Sequence, residues 1–382
     1  MHTAKRTHTF TESVIRAMTR LASEHDAINL AQGFPNFPAP QLIKEAAVRA
    51  IHDDINQYAI TWGAKRLRDA LASKYLDWYG MAVDPDAELT VTCGGTEAMA
   101  SVMLSIVDPG DEVIILEPFY ENYGPDAILC DAKPVFVSMG TEGVDLDRLA
   151  EAFSDRTRAI IINTPNNPTG HVFSRDELEG VAGLCQRHDA YAVTDEIYEH
   201  IYYSGEHIPI ATLDGMRDRT ITTSGASKTF SVTGWRIGTI VAPEALSNAI
   251  RKVHDFLTVG APAPLQEGIA VGLEELEQDY YLRLADEYRE RRDVLISGLL
   301  EAGFRCSAPR GAYYVLAGFS NISDLPDTDF SEWLTRQAGV TPVPGSSFFA
   351  NAEDGRGVVR FAFCKTLDLL EEANSRLARL HA

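Results

Sequence analysis

Lys228 is the one charged side chain between Thr220 and Trp235, set in Thr222-Thr223-Ser224-Gly225-Ala226-Ser227-Lys228-Thr229. Its small neighbours leave room beside it and supply no acid to pair with it. A lysine that is partly desolvated or close to other cations loses pKa, and its neutral amine is a nucleophile that forms imines. Taken alone, the segment fits equally an ordinary lysine with a buried stem and a solvated ammonium. Arg236, eight residues on in Thr233-Gly234-Trp235-Arg236-Ile237-Gly238, changes the balance. A second cation there depresses the lysine pKa and can hold a phosphate through two parallel hydrogen bonds. Its plain alternative is a surface ion pair.

Four further segments carry groups of the same kind. Asp195 closes the run Tyr191-Ala192-Val193-Thr194, and Tyr198 follows three residues later. A carboxylate at the end of a strand can pair with a protonated ring nitrogen; the competing role is a helix N-cap. Asn163-Thr164-Pro165-Asn166-Asn167-Pro168-Thr169-Gly170 is a turn stiffened by two prolines that can aim the Asn167 amide at a ligand oxygen. Cys93-Gly94-Gly95-Thr96-Glu97 joins a strand to a helix, where backbone N–H groups of Gly95 and Thr96 can approach a phosphate. The segment is not GxGxxG, and no Walker lysine follows it. Arg360 stands inside the apolar run Val358-Val359-Arg360-Phe361-Ala362-Phe363. A buried arginine is costly unless paired, so it is expected to meet a carboxylate, either an internal one or that of a substrate.

The elements that must position these groups are legible from periodicity. Short β-branched runs at Leu89–Thr92, Val113–Leu116, Val135–Ser138, Ala159–Ile162, Tyr191–Thr194, Thr220–Thr223 and Gly238–Val241 are predicted strands. Helical patterns such as Thr96–Val107 and Arg175–His188 lie between them. The alternation predicts an α/β fold with a mostly parallel sheet, whose ligands sit beyond the carboxyl ends of the strands. After Pro264 the pattern is helical, with strand-like Ala312–Leu316 and Val358–Phe363 between, which predicts a smaller α+β domain.

At 382 residues the chain is long enough for two domains. A net charge of −21 disfavours nucleic acid and anionic membrane surfaces as partners. Eight of its 34 basic residues are lysine. The five cysteines are scattered and form no CxxC pair, which argues against a metal site or a disulfide framework and for a reducing compartment. The first ten residues lack the apolar core of a signal peptide, and no apolar run approaches membrane-spanning length, so a cytoplasmic location is expected.

In combination and order these segments resemble the class-I, fold-type I pyridoxal-phosphate aminotransferases over essentially the full chain. Ser227–Gly238 resembles that family's lysine signature; Asn163–Gly170, Thr194–Tyr198 and Val359–Phe363 match in the expected order. Leu21–Asp26 and Gln32-Gly33-Phe34-Pro35 narrow the resemblance to the kynurenine, glutamine and methionine aminotransferases. It implies an N-terminal arm (1–28), a large pyridoxal-phosphate-binding domain (41–283) and a small domain (29–40 with 284–382). It implies Lys228, Asp195 and Tyr198 as catalytic residues. Lys228 would carry the cofactor, Asp195 would keep its ring nitrogen protonated, and Asn167 and Tyr198 would bind its phenolic oxygen. Tyr120 would stack on the ring. Gly95, Thr96, Arg236 and Tyr58 of a second subunit would hold its phosphate, so the protein would be a homodimer with shared sites. Arg360, Gly33 and Asn167 would bind the amino-acid and 2-oxo-acid substrates.

Four positions depart from the family pattern. Gly225 stands where many members carry a phosphate-binding serine, leaving Ser224 or Ser227 as substitutes. Ile15 replaces a tryptophan, and Ala261-Pro262 an aromatic-histidine pair, of the kynurenine-type enzymes. With no second arginine for an acidic side chain, a neutral methionine- or glutamine-like donor is expected. A pyridoxal-phosphate lyase or cyclase on the same scaffold is the competing activity. A transcription regulator is not expected, since roughly 40 residues before the large domain are too few for a winged helix and the acidic charge opposes it.

Overall fold

The computed structural model describes residues 3–140 and 143–381. Its strands are β1 (Ile28–Asn29), β2 (Leu89–Thr92), β3 (Glu112–Glu117), β4 (Lys133–Ser138), β5 (Thr157–Asn163), β6 (Tyr191–Asp195), β7 (Thr220–Gly225), β8 (Gly238–Val241), β9 (Tyr314–Gly318), β10 (Val340–Thr341), β11 (Val343–Pro344) and β12 (Val358–Ala362). Seven of them form the central sheet in the order β2-β8-β7-β6-β5-β3-β4. β3 to β7 are mutually parallel, and β8 runs antiparallel to both β7 and β2. The mostly parallel α/β sheet is the predicted one.

This sheet is buried on both faces, as its crossover helices require. Ile115, Ile161, Val193, Ile221 and Ile240 pack into one core, and Ile114, Ile160, Ile162 and Ala192 into another on the opposite side. Successive residues of a strand point to opposite faces, so these near-continuous apolar runs feed both layers. The helix Arg175–His188 has its predicted bounds because a capping box, Ser174 with Glu177, starts it and Asp189 in the left-handed region ends it.

Five N-terminal helices matter for the site: α1 (Val14–Glu24), α2 (Gln41–His52), α3 (Lys65–Tyr79), α4 (Gly95–Ile106) and α5 (Tyr123–Leu129). A three-stranded antiparallel sheet, β11-β12-β9, lies near the C-terminus, and β1 pairs in parallel with β10. The predicted strand at Ala312 begins two residues later, at Tyr314, because Ala312 takes a positive φ of 52° that a strand does not accommodate. The helix Gln278–Glu301 runs unbroken across the domain boundary expected at 283, and its apolar stripe of Tyr281, Leu284, Tyr288, Leu295 and Leu299 is buried. Arg291, which interrupts that stripe, donates to the Lys365 carbonyl and lies over the Phe37 ring.

Candidate active site

The groups singled out above meet along one edge of the central sheet. Asp195 ends β6 and Asn163 ends β5; Lys228 follows β7, Tyr120 follows β3, and Gly94 to Thr96 follow β2. These are the carboxyl ends of parallel strands, where open α/β sheets bind ligands. Arg236 joins them because β8 runs the other way, so its preceding loop reaches the same edge.

Lys228 sits in a single helical turn, Ala226–Thr229. Its Nζ has one hydrogen bond, to the Gly33 carbonyl at 3.3 Å, and no carboxylate partner among the described residues. Burial brings the amine down to about 8; the Arg236 and Arg360 guanidiniums push the same way, while the Cys364 thiol and Asp195 oppose them. Gly33 can approach the amine because residue 33 has no side chain: a Cβ there would lie 1.9 Å from the Tyr314 hydroxyl.

Asp195 is no helix cap, since no α-helix follows β6. Its Oδ2 accepts a hydrogen bond from the Tyr123 hydroxyl at 2.8 Å, and its Oδ1 the Ile197 N–H at 3.3 Å. Burial raises its carboxyl, and the Tyr123 hydroxyl works in the opposite direction. Tyr198, buried, meets the Tyr314 hydroxyl at 3.1 Å. Tyr120 stands edge-on to Tyr123 with centroids 5.7 Å apart, and feels Asp195, Tyr314 and Arg360.

Arg360 on β12 has no accessible surface at all. It meets no internal carboxylate among the described residues, which speaks against the salt-bridge alternative. It donates instead to Asn167 Oδ1 at 2.8 Å and to the Ala31 carbonyl at 2.6 Å, between the rings of Tyr314 and Phe348. Its Nε has no partner among the described residues. Asn167 is held in turn, its N–H donating to Asn163 Oδ1 at 2.6 Å. With Oδ1 committed to Arg360, the Asn167 amide nitrogen remains to donate.

An open, glycine-lined corner lies at the start of α4. Gly94 has φ 83°, and a Cβ on it would lie 2.5 Å from a guanidinium nitrogen of Arg236, so glycine is required for that approach. No atom stands within 4 Å of a Cβ built on Gly95, and Thr96 is exposed. Arg236 is exposed, donates to the Thr233 carbonyl at 3.2 Å, and has no carboxylate partner among the described residues. Its left-handed backbone, φ 55°, is a strained conformation of the kind retained at functional sites. No side chain fits at Gly225, where a Cβ would lie 2.6 Å from the Ile237 carbonyl oxygen. Ser224 does not replace the missing hydroxyl, because its Oγ donates to Glu199 at 2.7 Å behind the strand. Ser227 makes no side-chain hydrogen bond among the described residues.

Tyr58 is not brought to this chain's own cluster: it is 85% exposed on a loop after α2. Ile15 of α1 packs beside Met18, Ala31, Val343 and Phe348, next to the Arg360 anchor. Tyr123, Tyr313 and Tyr314 were not singled out by sequence reasoning. Their signal is faint, aromatic residues in a segment ending at the sheet edge, and their partners lie 72 to 280 residues away.

The donor set fits pyridoxal phosphate: an amine near neutrality, a buried carboxylate, an uncommitted amide, and an arginine beside a helix N-terminus. The family model for "Aminotransferase class I and II" matches residues 25–377. Human kynurenine–oxoglutarate transaminase 1 is 36% identical, with 94% of each chain covered. The methionine aminotransferase of Escherichia coli is 36% identical over 96% of each. The structure of N-succinyldiaminopimelate aminotransferase from Mycobacterium tuberculosis superimposes with a TM-score of 0.96 at 38% identity, covering 99% of this chain and 100% of that one. The chain belongs to the class I and II aminotransferases and is a pyridoxal-phosphate enzyme that moves an amino group from an amino acid to a 2-oxo acid.

Proposed function

We propose that the donor is a neutral, medium-sized L-α-amino acid such as methionine or glutamine, and that Lys228, Asp195 and Tyr198 are the catalytic residues. The observation that carries the reading is Arg360. A fully buried guanidinium whose Nε has no partner, and which meets no carboxylate, among the described residues is costly. A substrate α-carboxylate would satisfy it, with Asn167 and the Gly33 backbone beside it.

Bound pyridoxal phosphate supplies an electron-withdrawing ring that accepts the charge developing at the substrate's α-carbon. Lys228 Nζ would hold the cofactor and would move the substrate's α-proton, a task suited to an amine near 8. The Asp195 carboxylate would hold the proton on the ring nitrogen, and the Asn167 amide and Tyr198 hydroxyl would donate to the phenolic oxygen. Gly95, Thr96 and Arg236 hold the phosphate, and Tyr120 stacks on the ring.

The same proposal makes the protein a homodimer, with Tyr58 of the partner subunit completing the phosphate site. Supporting it, Tyr58 is exposed together with Ile51, Ile55, Ile60, Phe256, Leu257 and Val259. The two segments adjoin where His254 meets the Thr61 carbonyl at 2.8 Å, and an apolar patch of this kind marks an interface. An arm (1–28), a large domain (41–283) and a small domain (29–40 with 284–382) belong to the reading, with Gln278–Glu301 as the shared helix. Its five free thiols suit the cytoplasm.

Side-chain preference follows from what surrounds the anchor. Asn167, Tyr314 and Phe348 contact Arg360, and none is a cation to receive a second carboxylate. Burying an unpaired carboxylate costs several kcal/mol, on the order of a thousandfold in selectivity. Ile15 and Ala261-Pro262 supply no aromatic platform for kynurenine. A kcat/KM survey with methionine, glutamine, aspartate, kynurenine and N-succinyldiaminopimelate tests this: methionine or glutamine should win, and a clear win for any of the others contradicts it. In the same assay a single amino acid should bleach the cofactor absorbance and a 2-oxo acid restore it; ammonia release without bleaching would mean a lyase.

A further inference from the structure

Helix α5 carries a second acid behind the site. Asp126 lies one turn after Tyr123, so both side chains leave the same helix face. Tyr123 donates to Asp195. Asp126 is 6% exposed, forms no side-chain hydrogen bond or ion pair among the described residues, and its Oδ2 is sealed from solvent without a partner. A buried carboxyl in that condition is expensive, and such groups cluster at functional sites.

The charges on neighbouring elements are engaged elsewhere. On α4, Glu97 binds His254, Ser101 and the Cys93 N–H. On β3, Glu112 binds Lys133 of β4, Arg156 and Ser154, and Glu117 accepts the Ala350 N–H. Arg6 binds the Leu129 carbonyl and Asp131 at the exposed end of α5. Asp195 of β6 is therefore the charge that acts on Asp126, with Tyr123 and Cys130 as the titratable neighbours on its own helix.

We propose that Asp126 is a positioning residue of the cofactor site: its charge state, acting on Asp195 across Tyr123, sets how strongly Asp195 holds the proton of the cofactor's ring nitrogen. The proposal rests on the assignment of Asp195 to that nitrogen. Two nearby buried carboxyls titrate as a pair, and ionising the second raises the proton affinity of the first. Burial first, and the Asp195 carboxylate second, push Asp126 up to about 7. Below neutrality a neutral Asp126 leaves Asp195 a weaker base; above it, the added negative charge tightens the hold on the ring proton.

The test uses wild type, Asp126→Asn, Asp126→Ala and Asp195→Asn. In pH-difference infrared spectra of the apoprotein, wild type should show a protonated-carboxyl band that vanishes as pH rises through neutrality, and both Asp126 variants should lack it. In the holoenzyme, the pH titration of the cofactor's visible absorbance should move to lower pH in both Asp126 variants. A packing role would instead spare the near-isosteric asparagine and affect alanine alone, and that pattern overturns the proposal. So does a neutral-range band that persists in Asp126→Asn. A shift in Asp195→Asn with none in Asp126→Asn overturns the proposal alone, whereas an Asp195→Asn titration superimposing on wild type overturns the assignment of Asp195 as well.

Discussion

The turn from Asp195 to His200 presents acids to two sides of β6, and the two sides are satisfied very differently. Behind the strand, Glu199 accepts from Lys74, from Tyr79 at 2.7 Å and from Ser224 at 2.7 Å. Glu196 accepts from Thr194 at 2.8 Å and meets His207 at 2.9 Å. Burial alone would raise Glu199, but Lys74 and the His200 and His207 rings hold it well below the usual carboxylate range. In front, Asp195 has one hydroxyl and one N–H, Lys228 a single carbonyl, and Arg360 an orphaned Nε. Both sides bury charge. The rear acids spend their hydrogen-bonding capacity within the protein, with His207 Nδ1 left without a partner among the described residues; the front acid and cations leave capacity open for a ligand.

Lys228→Ala should show the largest effect, on turnover and not on folding. Removing both nucleophile and proton carrier should lower kcat by about four orders of magnitude, ~5.5 kcal/mol of barrier, with the melting temperature nearly unchanged. Steady-state kinetics beside thermal unfolding measures both, and substantial residual turnover would erase the distinction between the two faces. Lys74→Met should do the reverse. It strands Glu199 as an unpaired buried charge, which typically costs ~3–5 kcal/mol of stability, while kcat per folded molecule stays near wild type. Denaturant unfolding and active-site titration give the two numbers; a stable but inactive variant would assign Lys74 to the chemistry.

Arg360→Gln sharpens the comparison on the substrate side. Loss of the carboxylate anchor should lower kcat/KM roughly a hundredfold, ~3 kcal/mol, for amino acid and 2-oxo acid alike. An effect on one substrate only would place the anchor elsewhere. The smallest effect concerns pH. A base whose folded pKa is depressed is neutral, and nucleophilic, above that pKa. With Lys228 near 8, the rate at which apoenzyme recaptures pyridoxal phosphate should rise about tenfold from pH 7 to pH 9 and level off above. A flat profile would put the amine's titration outside this range.

What could be seen in the sequence was whatever local pattern determines. The seven central strands are apolar, β-branched runs, so each was found within two residues of its observed ends. Lys228 and Arg360 stand out because each interrupts a run whose chemistry it does not share, Asp195 because it closes an apolar strand, and Asn167 because it lies in a turn stiffened by two prolines. Residues supplying long-range partners carry no such mark. Tyr123 reads as one aromatic among many, yet it holds Asp195 from 72 residues away. Lys74 reads as a charge on an amphipathic helix, yet it pairs with Glu199 at a separation of 125. Arg360 was expected to meet a carboxylate because its burial was legible; that its partners would be an amide and a carbonyl depends on how β12 docks against the Asn167 turn. The exclusion of Ser224 from the phosphate corner likewise follows from which face of β7 it occupies.

Borohydride reduction of the purified holoenzyme, followed by peptide mapping, tests the contrast at its centre. Among the eight lysines, Lys74 and Lys365 are buried with partners of their own, Glu199 for the first and the Gln32 and Phe34 carbonyls for the second. The pyridoxyl label should fall on Lys228 alone. A label on Lys74 or Lys365, or none on Lys228, would contradict the account.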